Sequence, residues 1–269
     1  MNGHPLVSIV LPTFNREKTL AKAIESALSQ TYKDFELLAV DDASQDKTQS
    51  ILLEYARKDA RIVGIRNEKN MGLVRSLNKG VQYAKGAYIA RLDDDDFWLD
   101  PQKLEKQVAF FQGHPECVLT GGGQVRVDEN GKEIARLVFP ETDEAIRNRM
   151  LFNNPFSHTS VLFRKDAWEK AGGYDESLIF SEDWDLWMKL ARVGMCYNFQ
   201  EYFVCYLEGS QNRSREHEVR DALLNMRLRA RYRRDFPNFG KAFLFGCLAL
   251  VFSFTPFHSR VRTLWRNLI

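Results

Sequence analysis

Four consecutive aspartates, Asp93 to Asp96, follow the apolar run Tyr88–Leu92 without a break. Like charges gathered in this way repel unless a cation or strong donors offset them. Oxygen-only ligands suit Mg²⁺ or Mn²⁺, which needs one or two carboxylates and fills its other positions with water and substrate phosphates. The plain alternative is a solvated acidic turn. A second acidic group lies far along the chain in SEDWDLW (residues 181–187). A carboxylate placed apart from a metal can take the proton from an attacking hydroxyl, and Glu182, Asp183 and Asp185 are the acidic residues available for that role. Helix capping is the competing role, because acidic residues favour a first turn for the dipole alone. Two further polar segments, PTFN (Pro12–Asn15) and DDASQD (Asp41–Asp46), also end apolar runs.

These residues need elements to position them. Val7–Leu11, Phe35–Val40, Arg61–Arg66 and Tyr88–Leu92 read as short buried strands. Between them, helical spacing joins Leu20, Ile24, Ala27 and Leu28; then Ile51, Leu52, Tyr55 and Ala56; then Leu73, Val74, Leu77, Val81 and Ala84. A fourth helix is expected to open with Asp100 as N-cap and Pro101 at its first position, burying Leu104, Val108 and Phe111. Alternating strands and helices predict a parallel, doubly wound α/β half-domain over 6–112. Ligands in such sheets bind beyond the carboxyl ends of the strands, which sends PTFN, DDASQD and DDDD to one crevice. No GxGxxG or GxxxxGK[ST] motif is present, so any phosphates must be held by metal. Gly121–Gly123 reads as close backbone packing.

The second half is less regular, as a mixed sheet that shapes specificity would be. Strands are expected at Cys117–Val127, Thr159–Arg164 and Cys196–Leu207, and helices at Glu141–Phe152, Asp166–Ala171 and Asp183–Val193. With 44% hydrophobic and 28% charged residues, the chain excludes disorder and small disulfide scaffolds. Its four scattered cysteines form no CxxC pair, which favours a reducing compartment. No signal peptide is read at the N-terminus, and the body is expected in the cytoplasm.

The formal net charge of +2 hides an asymmetry: residues 209–269 hold twelve Arg or Lys against four Asp or Glu, while the first 208 residues carry about −6. A basic tail on an acidic body argues against nucleic acid at the catalytic face and for a tail that meets an anionic surface. Ser214–Phe236 reads as an arginine-rich helix, and Ala242–Phe257 is uncharged but too short to span a bilayer, with Pro256 breaking it. The functional expectation is a tail lying in the membrane interface, with Arg227, Arg229, Arg231, Arg233 and Arg234 on lipid headgroups. Packing on the catalytic domain or on a twin subunit is the alternative.

Five segments in order, VSIVLPTFNRE, LLAVDDASQDKT, NMGLVRSLNKG, YIARLDDDDFWLDPQKLE and GGYDESLIFSEDWDLWMKLA, resemble the family 2 glycosyltransferases of bacterial polysaccharide and lipopolysaccharide assembly. The resemblance covers residues 6–208. It implies a GT-A fold, a single Rossmann-like, mostly parallel sheet flanked by helices, with a nucleotide-sugar half over 1–112 and an acceptor half over 113–208; the helical, membrane-associating tail over 209–269 is read from its composition. It implies an inverting, metal-dependent transferase that uses Mg²⁺ or Mn²⁺ and a nucleotide-diphospho-sugar, UDP-sugars foremost. The acceptor would be a glycan or lipid-linked hydroxyl at the inner membrane face; an oligomer is compatible, and no nucleic acid is expected. Carried over residue by residue, Pro12, Thr13 and Phe14 lie against the base, Asp42 bonds a base edge, Arg75 is a donor-side arginine and Asp183 is the catalytic base. Within LDDDD the family's DxD-like motif maps onto Asp93–Asp95, with Asp94 near the ribose and Asp95 on the metal, in a register open by one residue. Phe14 as a core aromatic and Arg75 as a solvated helix residue stand as alternatives. Trp98, His158 and Trp184 are candidates for an acceptor wall, since aromatic faces suit sugar rings. A sugar nucleotidyltransferase would need a Gly-rich basic loop where PTFNRE stands, and a non-catalytic glycan- or metal-binding module has no use for Asp183.

Overall fold

A computed structural model describes residues 6–208 and 218–253 of the chain. The first half alternates as expected: β1 (Val7–Thr13), α1 (Leu20–Leu28), β2 (Phe35–Asp41), α2 (Thr48–Lys58), β3 (Ile62–Arg66), α3 (Leu73–Tyr83) and β4 (Tyr88–Arg91). Next come β5 (Phe97–Trp98), α4 (Lys103–Gly113), β6 (Cys117–Val127), β7 (Glu133–Leu137), α5 (Asp143–Arg149) and a 3-10 turn at His158–Ser160. The remaining elements are β8 (Leu162–Arg164), α6 (Lys165–Ala171), α7 (Glu182–Ala191), β9 (Met195–Leu207), α8 (Glu218–Arg231) and α9 (Phe239–Ser253).

The strands form one sheet in the order β3-β2-β1-β4-β8-β6-β9-β5, with β7 also on β6. Strands β3, β2, β1 and β4 are parallel, whereas β8 runs antiparallel to both β4 and β6 and β9 returns parallel to β6. The chain leaves β1 toward β2 on one side and places β4 on the other, so the switch point of this sheet lies between β1 and β4. Alternation sends Val10, Leu38 and Val40 into one core with α3, α6 and α7. Ile9, Leu11, Leu37 and Ala39 enter the opposite core with α1, α2 and α4. Burial on both faces explains why these strands are apolar throughout rather than alternating.

Three local readings shift. Helix α4 starts at Lys103, two residues later than expected, because Asp100 Oδ1 accepts the Gln102 N–H at 2.8 Å in a turn. Thr159 and Ser160 belong to the 3-10 turn, not to β8. Strands β5 and β7 were not expected; β5 is only two residues long, and β7 is an exposed edge. The glycine run does serve close packing, since a β-carbon at Gly121 would collide with Asn198 and Phe156, and one at Gly122 with Phe203.

The tail corrects the sequence reading. Leu228, Tyr232, Phe236 and Ala242 join the same core as α7. Arg229 is buried and donates to the carbonyl oxygens of Leu151 and Phe152 at 2.8 and 2.9 Å. Arg231 pairs with Asp175 and Asp185 at 3.0 and 3.1 Å. These two arginines are spent on the protein, leaving Arg227, Arg233 and Arg234 on the surface. Among the described residues no helix is long and apolar enough to cross a membrane. Residues 214–217 of the expected helix, and Pro256, Phe257, Arg260, Arg262 and Arg266, lie outside the described residues.

Candidate active site

A cavity of about 1270 Å³ opens at the carboxyl ends of β1, β2 and β4, lined by Pro12, Thr13, Phe14, Asp42, the whole Asp93–Asp96 run, Glu182 and Asp183 among others. The two acidic motifs that the sequence sets far apart therefore meet in one space. Asn15, Ala43 and Ser181 all take positive φ, of 53°, 62° and 58°, next to Phe14, Asp42 and Glu182. Such backbone is costly for residues with a β-carbon, and it is concentrated where the chain must aim side chains into the cavity.

Asp42 is buried and accepts from Asn67 Nδ2 at 2.7 Å and from the Met71 and Gly72 N–H groups at 2.8 Å each. It thereby fixes the NMG loop under the crevice, and Gly72, at φ 87°, has the conformation that its N–H needs for this bond. Phe14 is 40% exposed, which excludes a core role and leaves its ring at the cavity wall.

The four aspartates have different partners. Asp93 is ion-paired with the buried Arg91; burial pushes its carboxyl up, but the combined pull of its neighbours, Arg91 foremost, holds it below its ordinary pKa. Asp94 accepts from the Phe14 N–H and the Arg16 Nε at 3.3 Å each, and burial together with Asp95 pushes it up to about 7. Asp95 meets Arg16 Nη2 at 3.4 Å and is raised by burial and by Asp93. Asp96 is almost fully buried, accepts from the Leu207 N–H at 3.0 Å, and is raised well above the carboxylate range by burial and by Asp93 and Asp95. Arg16 thus leaves Asp94 and Asp95 with uncompensated repulsion. Such hard oxygen groups, short of positive charge, have the chemistry that suits a divalent cation. Among the described residues no three His, Cys, Asp or Glu side chains converge into a metal cage.

Asp183 opens α7 and accepts from Asn154 Nδ2 and from the Trp184 N–H, both at 2.7 Å. Burial, aided by repulsion from Asp93, raises its pKa to about 6 despite those donors. Asp185 points elsewhere: it is fully buried and binds Lys189, Arg231 and the Tyr232 hydroxyl at 2.7, 3.1 and 2.7 Å.

Several expected wall residues are not in the cavity. Arg75 turns out to Glu176 at 3.2 Å, and its neighbours Leu73 and Ser76 line the space instead. Trp98 and Trp184 are core residues whose indole N–H groups reach the carbonyl oxygens of Thr159 and Met150 at 2.9 and 2.8 Å. His158 does line the cavity, but its ring is committed to Arg91. The sequence reading missed Arg16, Arg91 and Asn154. A lone arginine inside the apolar run Tyr88–Leu92 was a usable signal, since a charge in a buried strand needs a partner.

Residues 8–172 match the family described as Glycosyl transferase family 2. The EpsE glycosyltransferase candidate of Bacillus subtilis (strain 168) is 38% identical over 83% of this chain and 82% of its own length. The amylovoran biosynthesis glycosyltransferase AmsE of Erwinia amylovora is 32% identical over 70% of this chain and 71% of its own. The chain belongs to glycosyl transferase family 2. Among solved structures, S. aureus TarS 1-349 in complex with UDP-GlcNAc superposes with a TM-score of 0.71 at 22% identity, covering 93% of this chain and 73% of that one. The mannosyltransferase PcManGT from Pyrobaculum calidifontis, in complex with GDP-Man and Mn²⁺, gives 0.66 at 17% identity, covering 99% and 81%. At these identities the likeness is one of fold, a GT-A-like α/β sheet flanked by helices.

Proposed function

We propose that the chain is an inverting, metal-dependent glycosyltransferase of surface polysaccharide assembly, moving a sugar from a nucleotide-diphospho-sugar to a glycan or lipid-linked hydroxyl. The observation that carries this reading is the shared cavity: a carboxylate with a raised pKa, Asp183, stands in the same space as the Asp93–Asp96 run. Pro12, Thr13, Phe14 and Asp42 supply the nucleoside side, with Asp94 toward the ribose. With Asp93 tied to Arg91 and Asp96 buried, Asp95 is the carboxylate assigned to the metal and Asp94 its neighbour. When bound, Mg²⁺ or Mn²⁺ would offset charge on the departing diphosphate. UDP-sugars are the first donors to test, since TarS was solved with UDP-GlcNAc; PcManGT, solved with GDP-Man, puts guanosine donors second. AmsE, a relative named for amylovoran biosynthesis, supports the polysaccharide assignment.

In the transfer the acceptor hydroxyl attacks the anomeric carbon while Asp183 takes its proton. The new bond joins the acceptor oxygen to that carbon, the bond to the β-phosphate oxygen breaks, and the nucleoside diphosphate leaves with the electron pair. One displacement inverts the centre. Arg75, paired with Glu176 outside the cavity, is left without a donor role in this reading. A thermal-shift panel of nucleoside diphosphates and nucleotide sugars with Mn²⁺ tests the donor class, because ligands of the native state raise its melting temperature. No shift with any of them would reject the reading.

Membrane attachment is assigned to α9. Leu244, Leu248 and Val251, spaced at i, i+4 and i+7 and 62%, 42% and 61% exposed, form an apolar stripe. Lys241, Arg227, Arg233 and Arg234 are among the exposed cations of the same two-helix tail. This composition suits a helix lying in an anionic interface at the inner face of the cell membrane.

A further inference from the structure

Of the two arginines that line the cavity, Arg16 is held by Asp94 and Asp95, whereas Arg126 is held by neutral groups. The Gln124 amide, oriented as its neighbours require, accepts from Arg126 Nε and Nη2 at 2.8 and 3.0 Å and donates to Ser157 Oγ at 2.7 Å. Gln124 and Ser157 are both buried, so the support belongs to the protein and not to solvent. The Tyr206 ring backs the guanidinium, its centroid 5.6 Å from Cζ. The register of β6 against β7 shifts between Arg126 and Val127, the kind of irregularity that re-aims a strand's side chain. Among the described residues no carboxylate pairs with Arg126 and no group accepts from its Nη1. Asp128, the nearest acidic residue along the chain, accepts instead from the Asn130 and Lys132 N–H groups at 2.9 Å each. A guanidinium oriented by a neutral acceptor keeps its full charge for a ligand, and its planar array of donors suits the paired oxygens of a phosphate or a carboxylate.

The place of Arg126 in the fold separates it from the nucleoside side. Strand β6 stands three places from β1 in the sheet, roughly 14 Å from the strand that leads into Phe14 at about 4.8 Å per step. Ser157, which fixes Gln124, lies on the same short loop as Asn154, which donates to Asp183 at 2.7 Å. That loop is closed on itself, since Asn154 Oδ1 accepts the Phe156 N–H at 3.1 Å. We propose that Arg126, oriented by Gln124 and backed by Tyr206, binds an oxyanion of the acceptor, a phosphate or carboxylate close to the attacking hydroxyl, and thereby selects acidic acceptors. This deepens the glycosyl-transfer reading and rests on it. The rest of the cavity wall is rich in carboxylates and repels such a group, so the arginine decides where it can sit.

The test loads the whole chain with UDP and Mg²⁺ and titrates it calorimetrically with octyl phosphate, octyl glucuronide and uncharged octyl glucoside. At least one anionic probe should bind about tenfold more tightly than octyl glucoside, and the one that gains more tells whether the acceptor's group is a phosphate or a carboxylate. Arg126→Gln should remove that gain. Arg126→Lys should keep part of it, because the charge survives while the planar donor array is lost. Neither variant should change the affinity for octyl glucoside, and both should hold UDP affinity within about twofold. No gain in the wild-type protein, or a gain that survives Arg126→Gln, would overturn the proposal. So would a tenfold loss of UDP affinity in Arg126→Gln, which would place the arginine on the donor diphosphate. A preference for UDP-glucuronate over UDP-glucose that vanishes in Arg126→Gln would place it on the donor sugar and overturn the proposal as well. If the wild-type protein does not bind UDP, GDP or their sugars at all, the donor reading has failed instead.

Discussion

Asp183→Asn removes the proton acceptor and keeps the side chain's size and its capacity to accept from the Trp184 N–H. With a pKa raised to about 6, Asp183 is ionised in about nine of ten molecules at pH 7 and about one in ten at pH 5. The wild-type rate should therefore fall close to tenfold across that interval, on the acid side of the profile. Loss of a general base costs about 10² to 10⁴ in rate, or roughly 3 to 5 kcal/mol of barrier, and removes this acid limb. The Asn154 amide, 2.7 Å away, favours the charged carboxylate, so Asn154→Ala should raise the Asp183 pKa and carry the acid limb upward by about one unit. The assay is release of nucleoside diphosphate from pH 5 to pH 8, with donor affinity measured separately by calorimetry. Normal turnover in Asp183→Asn with the acid limb intact would refute the assignment. A tenfold weaker donor affinity without a change in kcat would also refute it, because the residue would then bind the donor rather than accept the proton.

Asp95→Ala should weaken nucleoside diphosphate binding together with turnover, and excess chelator should abolish activity; calorimetry with and without Mn²⁺ checks both. Phe14→Ala should cost about 1 kcal/mol of nucleotide affinity and leave the melting temperature unchanged, because an exposed ring holds no core together. Asp185→Ala leaves the buried Tyr232 hydroxyl without its acceptor and takes one partner each from Lys189 and the half-exposed Arg231, and should lower stability by about 2 to 3 kcal/mol in urea melts while donor affinity survives. Replacing Leu244, Leu248 and Val251 together by Glu should release the protein from anionic vesicles without lowering its melting temperature; continued sedimentation with the vesicles would reject α9 as the attachment surface.

The parallel half was legible because strands buried on both faces and helices with one apolar stripe leave unambiguous patterns, as Val7–Thr13 and Leu20–Leu28 show. The meeting of the acidic motifs was legible for a topological reason: the ends of β1, β2 and β4 share one edge of the sheet. What stayed hidden depends on contacts between segments distant in sequence. Arg75 faces Glu176, 101 residues away, and no local pattern announces whether a helix arginine turns to a ligand or to a loop. Trp98 and Trp184 had the composition of a sugar-binding wall, but each indole N–H finds a backbone carbonyl inside the core.

SEDWD poses the same problem within a single turn, and helix geometry resolves it. Successive residues advance by about 100° around the axis, so side chains two apart point to nearly opposite sides. Asp183 faces the cavity and Asn154, while Asp185 faces away and holds Arg231 and Tyr232 at the end of the tail helix. From the sequence, both are acidic residues opening a helix and both can serve as a base. Only the partner side distinguishes them, and Arg231 and Tyr232 lie more than forty residues downstream in a segment whose charge pointed to lipid. The five arginines between 227 and 234 are therefore divided between two jobs. Arg229 and Arg231 hold α8 to the domain that carries Asp183, and Arg227, Arg233 and Arg234 remain on the surface where an anionic partner can reach them.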